Sequence, residues 1–352
     1  MEGLVNILLR TVDDRPWTVF HRLPSTVFGL DCDYNIPMNK SPFTLAPEYR
    51  DYVWGGSRLR PQIVPTAEAW IIYAGNRISS GPYAGRSLSD LSSEFGSDLL
   101  GSRAIAQTGN RFPVLVKILD CAQWLSLQVH PNDEQAQKLE GEGFFGKTEA
   151  WHVLEADADS KLIAGVKPNV TAEALTSAIE SRSELVLDLV ETAPVKAGDT
   201  LFINPGTVHA LGPGLLIYEI QQTSDITYRV YDWGRPETET RKLHIDKAVA
   251  VSNPNAVALV VDSPEMNDGE MQTLTQCQYF NLDEILVEQK TLNLETRGES
   301  FHGLTVIEGQ VQVSAEGEAF VLNKFDTLVI PACCGSYQIQ PLMKSRVLKA
   351  SV

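Results

Sequence analysis

Four side chains in this sequence have the types and spacing to hold a metal ion. Gln128 and His130 sit two apart in "LSLQVHPNDEQAQ" (125–137), an alternating run that stops at Pro131. Side chains along a strand alternate between its faces, so both project to one side. Glu149 follows a glycine-rich loop, in "GKTEAW", and His209 follows the Pro205-Gly206 turn in "FINPGTVHAL". Two imidazoles, one carboxylate and a neutral amide oxygen around Zn²⁺ would carry about +1 net charge and leave room for substrate oxygens. The neutral Gln128 would keep the ion more electrophilic than a second carboxylate, which suits Lewis-acid work. A single strand histidine is more often merely hydrogen-bonded or exposed; the joint set is what points to a metal.

A second group consists of charges in strand-like, apolar surroundings. Glu219 and Arg229 lie ten apart in "YEIQQTSDITYRVYDWGR", on two runs joined by a polar turn. Lys117 interrupts the apolar "FPVLVKILDC", and Lys147 precedes Glu149 by two. Charges of this kind are costly in strands unless paired or bound to an ion of opposite sign. Three cations beside a metal suggest a pocket for a phosphate or an enediolate; a plain Glu219–Arg229 salt bridge explains part of the pattern equally well. His152 is three residues past Glu149 and faces the other way. His152, His21, His244 and His302 have no partner pattern and read as structural or surface residues.

These residues need a β-rich scaffold. "EAWIIYAG" (68–75), "FPVLVKILDC", "EAWHVLEA", "KLIAGV", "TLFINPG" and "LLIYEIQQ" are short strands with turn residues between them, the grammar of sandwiches and barrels. "YVWGG" (52–56) reads as a further short strand. Helices are expected at 87–108, with breaks near Gly96 and Gly101, at 133–139 and at 171–190, where Thr171 offers a cap. "VKAGDTLFINPGTVHAL" (195–211) and "LNKFDTLVIPACCGSYQI" (322–339) share an Asp-Thr-Leu-hydrophobic-Ile core leading to a proline. Only the first continues to a histidine. The expected fold is therefore mainly β, with two jelly-roll barrels and small helical insertions at about 87–108 and 171–192: a site-bearing domain at 38–240 and a degenerate one at 241–352.

Composition narrows the function. The chain has 352 residues, 45 acidic and 29 basic side chains, and a formal net charge of −16. Such a surface repels nucleic acid and anionic membranes, and no apolar run approaches the ~20 residues of a membrane span. Five cysteines without framework spacing suggest reduced thiols and a cytoplasmic protein. Residues 1–37 have no periodic pattern and no adequate signal core; a domain begins more naturally at Met38, and the stretch before it is expected to be a poorly ordered extension or the product of an upstream start codon.

Taken together, "YVWGGSRL", "LSLQVHPNDEQA", "GKTEAWHVLEA" and "FINPGTVHALGPGLLIYEIQQTSDITYRVYDWGR" resemble the type I mannose-6-phosphate isomerases, or phosphomannose isomerases, of the cupin superfamily. The resemblance runs from about Pro42 to the C-terminus, densely as far as Arg235. It implies cupin-type barrels, one zinc ion per chain held by Gln128, His130, Glu149 and His209, and a catalytic arginine at Arg229. Glu219 and Lys147 would join Arg229 in catalysis, and Trp54, Glu68, Lys117 and Ser126 would bind substrate. The implied reaction interconverts mannose 6-phosphate and fructose 6-phosphate through an enediol. A small sugar phosphate would be the only partner, with a monomer or weak homo-oligomer as the assembly. The alternatives are an isomerase of another sugar, or a sugar-binding regulator on the same scaffold.

Overall fold

The computed structural model describes residues 37–352; the expectation for the N-terminal extension lies outside them. Two pairs of antiparallel sheets make up the molecule. In the first pair, a seven-stranded sheet runs in the order Val260–Val261, Thr200–Ile203, Glu149–Ala156, Leu215–Gln222, Val114–Cys121, Glu68–Ile72, Glu48–Arg50. It faces a five-stranded sheet ordered Tyr228–Tyr231, Leu127–Val129, His209–Leu211, Lys161–Val166, Val190–Pro194. Trp151, Val153, Leu201, Leu211 and Ile217 fill the space between them.

The second pair repeats this plan. A six-stranded sheet (Phe43–Thr44, Thr327–Ile330, His302–Glu308, Ser345–Ser351, Asn281–Val287, Glu270–Gln276) faces a four-stranded one (Leu292–Glu295, Ser336–Pro341, Gln310–Ala315, Glu318–Asn323). The eight strands from Val114 to Gln222 and the eight from Asn281 to Ser351 occupy the same relative places in the same chain order. Each barrel thus uses one topology, and the shared Asp-Thr-Leu runs form corresponding strands. The sheet faces outside the two barrels pack on each other. Ile72, Val116, Ile118 and Tyr218 meet Phe280, Leu282, Phe301 and Leu348 in one core, with Leu88, Leu91 and Leu99 from the first helical insertion.

That insertion forms as expected and is broken at both glycines: Leu88–Phe95, Ser97–Leu100 and Ser102–Thr108. Ser87 and Asp90 make a reciprocal cap at its start, satisfying two otherwise unpaired amides. Asn132 and Gln135 do the same for Asp133–Glu140.

Two local expectations are corrected. Residues 52–56 form a turn that ends in two isolated β-bridges, Gly55 to Cys121 and Gly56 to Thr66, and not a strand. Gly55 donates back to the Tyr52 carbonyl, and a Cβ there would lie 2.5 Å from the Ala67 nitrogen. The 171–190 helix ends early, at Ala172–Glu180. Ser181 bonds the Ala178 carbonyl, Arg182 takes a left-handed φ of 52°, and a short 3₁₀ turn at Glu184–Asp188 leads into the strand from Val190. Serines compete for backbone partners and so favour such breaks.

The helix Ile245–Val251 packs through Ile245, Ala248 and Val251 on the outer side of the five-stranded sheet, beside Leu175 and Ile179. Among the described residues, no helix is long and apolar enough to cross a membrane.

Candidate metal centre and substrate cavity

The site is built from two rows of strand neighbours on facing sheets. On the seven-stranded sheet Glu219 is the register partner of both Lys117 and Trp151. On the five-stranded sheet Gln128 is the partner of both His209 and Arg229. Residues adjacent across strands project to the same face, so six polar or aromatic side chains enter one barrel from opposite walls.

Loops at the strand ends add the rest. The strand carrying Gln128 stops at Val129, and Pro131 prevents it from continuing the ladder. The freed carbonyls are taken up by incoming loops: His130 accepts from the Gly206 amide at 2.9 Å, and Pro131 from the Lys147 amide at 2.9 Å. Gly146 must be glycine, because a Cβ would lie 2.5–2.8 Å from the Asn132–Asp133 backbone. These bonds bring His130, Lys147, Glu149 and His209 together although they span 80 residues of sequence.

Glu149 lies at the centre. His209 Nε2 is 3.2 Å from one carboxylate oxygen, and His130 Nε2 is 3.5 Å from the other. Both histidines use Nδ1 to donate to a backbone carbonyl, His130 to Ile226 and His209 to Thr207, each at 2.8 Å. That fixes the tautomer with a lone pair on Nε2, the form that ligates metals. Glu149 Oε1 has no hydrogen-bond donor, and the partners of the buried Glu149 Oε2 are the Lys147 ammonium and the His130 ring. A buried carboxylate oxygen without a donor is expensive, and an ion bound between these three side chains would satisfy it. Among the described residues, His130, Glu149 and His209 are the group able to converge on a metal. Gln128 is beside them, its side-chain nitrogen 3.3 Å from His209 Nε2. Amide O and N are assigned from hydrogen-bond partners, so the flipped amide would offer oxygen at the same point.

Lys147 Nζ is 2.7 Å from Glu149 and 3.1 Å from His130 Nε2. Burial and the Lys147 charge push the His130 imidazole down to about 3, so it is neutral. Burial works to raise the Glu149 carboxyl, but Lys147 and His130 overcome it and hold it well below the usual carboxylate range. A deprotonated carboxylate with two neutral imidazoles is the state a divalent ion requires.

In front of this centre lies a cavity of about 490 Å³, within the size range of small-molecule sites. Trp54, Glu68, Lys117, Ser126, Gln128, Lys147, Glu219 and Arg229, all singled out in the sequence, line it together. His130, Glu149 and His209 are behind its floor. Lys117 Nζ is 3.3 Å from Glu219, 3.8 Å from Glu68 and 3.4 Å from Asp225. Burial opposes its charge, yet those carboxylates raise its pKa well above the ordinary lysine value. Trp151 donates its indole N–H to one Glu219 oxygen at 2.9 Å, and Lys117 stands by the other. Burial raises the Glu219 pKa against the opposing pull of Lys117.

The Glu219–Arg229 salt bridge is not made; Lys117 takes that place. Arg229 donates to the Lys242 carbonyl at 2.9 Å, while its buried Nε has no partner. Arg241, nearby, is already paired with Asp232 through two contacts of 2.6 and 3.0 Å. Arg229 is therefore the cavity's guanidinium with donors to spare.

Reading the sequence missed several cavity residues. His244, taken as structural or surface, lines the cavity, and its Nδ1 accepts the Arg229 amide at 3.1 Å. Tyr52, Asp225, Thr227, Thr238, Thr240 and Arg241 line it too. Only Asp225, in the polar turn "QTSD", carried a local signal. His152 and His302 are buried and structural: His152 bonds Thr200 at 3.0 Å, and His302 bonds Tyr337 at 2.7 Å.

Known proteins resemble this chain in sequence and in fold. The family profile "Phosphomannose isomerase type I, catalytic domain" matches residues 43–144. The chain is 33% identical over 323 residues to mannose-6-phosphate isomerase ManA of Bacillus subtilis, covering 86% of this chain and 97% of that one. It superimposes on the crystal structure of the Bacillus subtilis mannose 6-phosphate isomerase with a TM-score of 0.78 at 31% identity, over 89% of this chain and all of that one. A zinc-bound mannose 6-phosphate isomerase structure shares the fold at a TM-score of 0.68 and 16% identity, over 88% of this chain and 99% of that one.

Proposed function

The chain belongs to the type I phosphomannose isomerases, and from that premise we infer that it interconverts mannose 6-phosphate and fructose 6-phosphate by moving a proton between C1 and C2. The observation that carries the reading is the fully buried Glu149 carboxylate, whose two oxygens face two imidazole Nε2 atoms beside the Lys147 ammonium at the back of a cation-bearing cavity. His130, Glu149 and His209 would hold a zinc ion, with Gln128 completing the set through its amide oxygen. When bound, zinc supplies Lewis-acid polarisation of the substrate's C1 and C2 oxygens.

The chain's own residues divide the remaining work. Glu219 carries the proton, since burial raises the pKa of its carboxyl. Lys117 keeps that carboxylate in place and is itself too firmly protonated to act as a base. Arg229 offers its unpaired N–H groups to the negative charge of the enediolate. Lys147, on the edge of the metal group, donates to a substrate oxygen there. Ser126 and Glu68 bind sugar hydroxyls, and Trp54 closes the cavity wall against water. The described cysteines are all free thiols, which suits a cytoplasmic enzyme.

A coupled assay with mannose 6-phosphate, run with and without chelator and beside free mannose, tests the assignment. Chelator-sensitive turnover of the phosphorylated sugar alone is expected. Turnover of free mannose at an equal rate would favour an isomerase of another sugar, and absence of any turnover with zinc supplied would favour a binding protein.

A further inference from the structure

The second barrel has a cavity of its own, about 1060 Å³, at its open end. Its origin lies in the side chains pointing into the barrel. Along Asn281–Val287 the inward positions run from apolar Val287 and Ile285 to Asp283 and Asn281; along Ser345–Ser351 they run from Val347 to Lys349 and Ser351. One end of the barrel is therefore filled by aliphatic side chains, and the other is mostly polar, with Leu294, Ala315 and Val352 among its lining.

The polar end corresponds to the catalytic end of the first barrel. Asp283 and Lys349 are register partners on adjacent strands, as Lys117 and Glu219 are on the corresponding strands. They form a buried ion pair at 2.7 Å, the same device with its charges exchanged. His302 begins the strand that corresponds to the one begun by Glu149, and it bonds Tyr337 at 2.7 Å. Asn281 has a buried side-chain oxygen with no hydrogen-bond partner on the wall of the cavity.

The wall chemistry selects among ligands. No group of His, Cys, Asp or Glu able to converge on a metal occurs here among the described residues. Five side-chain carboxylates and three cations line the cavity. Each cation already has a carboxylate within reach: Lys349 with Asp283, Arg103 with Glu299 at 2.5 Å, and Arg297 with Glu295 at 3.8 Å. An anion would find no free positive charge and a surplus of negative ones. Hydroxyls suit such a wall, because each can donate to a carboxylate and accept from an ammonium at once.

We propose that the polar end of the C-terminal barrel is a second binding site, distinct from the isomerase cavity, for an uncharged sugar of one or two rings. It follows from the duplicated barrel plan and stands apart from the assigned activity.

The test uses the full chain with saturating mannose 6-phosphate, and maltose and D-mannose as neutral probes read by saturation-transfer NMR. Inorganic phosphate is the anionic control. Ser336→Trp, at an exposed position on the cavity rim, should block access and weaken probe binding roughly tenfold or more, with isomerisation unchanged. Asp283→Asn provides a second variant should the first fail to fold, and the same loss is expected. The proposal is overturned if neither sugar binds, if mannose 6-phosphate displaces them, if phosphate binds in their place, or if folded variants bind the probes as the unmodified chain does.

Discussion

Lys117→Met tests the electrostatic logic of the cavity most directly. The lysine is almost fully buried, and its Nζ lies 3.3 Å from Glu219, 3.8 Å from Glu68 and 3.4 Å from Asp225. Met matches its length without its charge, so the change leaves two buried carboxylates facing each other. Removing one member of a buried ion pair costs about 3–5 kcal/mol. For a chain of this size that lowers the melting temperature by roughly 5–10 °C. The pH dependence separates this cause from simple mispacking. Burial already raises the Glu219 pKa, and Lys117 opposes that rise; without the lysine it climbs further. The folded variant then holds a proton that the unfolded chain has released. Its stability is retained below the unfolded carboxylate pKa and falls as pH rises toward the folded one, by up to about 1.4 kcal/mol per pH unit. Thermal melts of both proteins from pH 5 to pH 8 should show the variant's deficit growing with pH, and Glu219→Gln added to Lys117→Met should recover part of it. A deficit that stays constant across the pH range, or a double variant less stable than Lys117→Met alone, would refute the reasoning.

His130→Ala should abolish both bound zinc and isomerisation, checked by metal analysis and the coupled assay; activity in a metal-free preparation would end the metal reading. Arg229→Ala should retain zinc but lower kcat by about 10²–10³, the usual scale for removing one charge-stabilising donor, and parallel loss of zinc would make Arg229 structural. In acid, His152 and His302 should destabilise the fold. Burial, with Arg346 for His152 and Lys349 for His302, depresses their pKa values to about 4 and about 3. The unfolded chain gains these protons near pH 6.5 and the folded one does not, so stability declines as pH falls from there. His302→Gln should make melting temperature less steep between pH 6.5 and pH 4, and an unchanged slope would count against the assignment.

Most of the candidate metal group was legible in one dimension. Pro131 ends a strand whose period-two alternation puts Gln128 and His130 on one face, and His209 follows a Pro-Gly turn in a run repeated without its histidine near the C-terminus. Such features are local: a proline's missing N–H and a strand's alternation act within a few residues of sequence. Lys117, Lys147 and Glu219 were visible for a related reason, as charges in apolar strands need partners somewhere. Which partners they found was decided only by the tertiary structure. Glu219 and Arg229 are near in sequence but lie on facing sheets, so strand register gave Glu219 to Lys117 and Trp151 and left Arg229 with unpaired donors. His244 entered the cavity because its backbone and ring cap Arg229, a contact that no spacing rule encodes. The polar end of the second barrel was hidden likewise, since Asp283 and Lys349 stand 66 residues apart in the chain and become neighbours only when antiparallel strands pair.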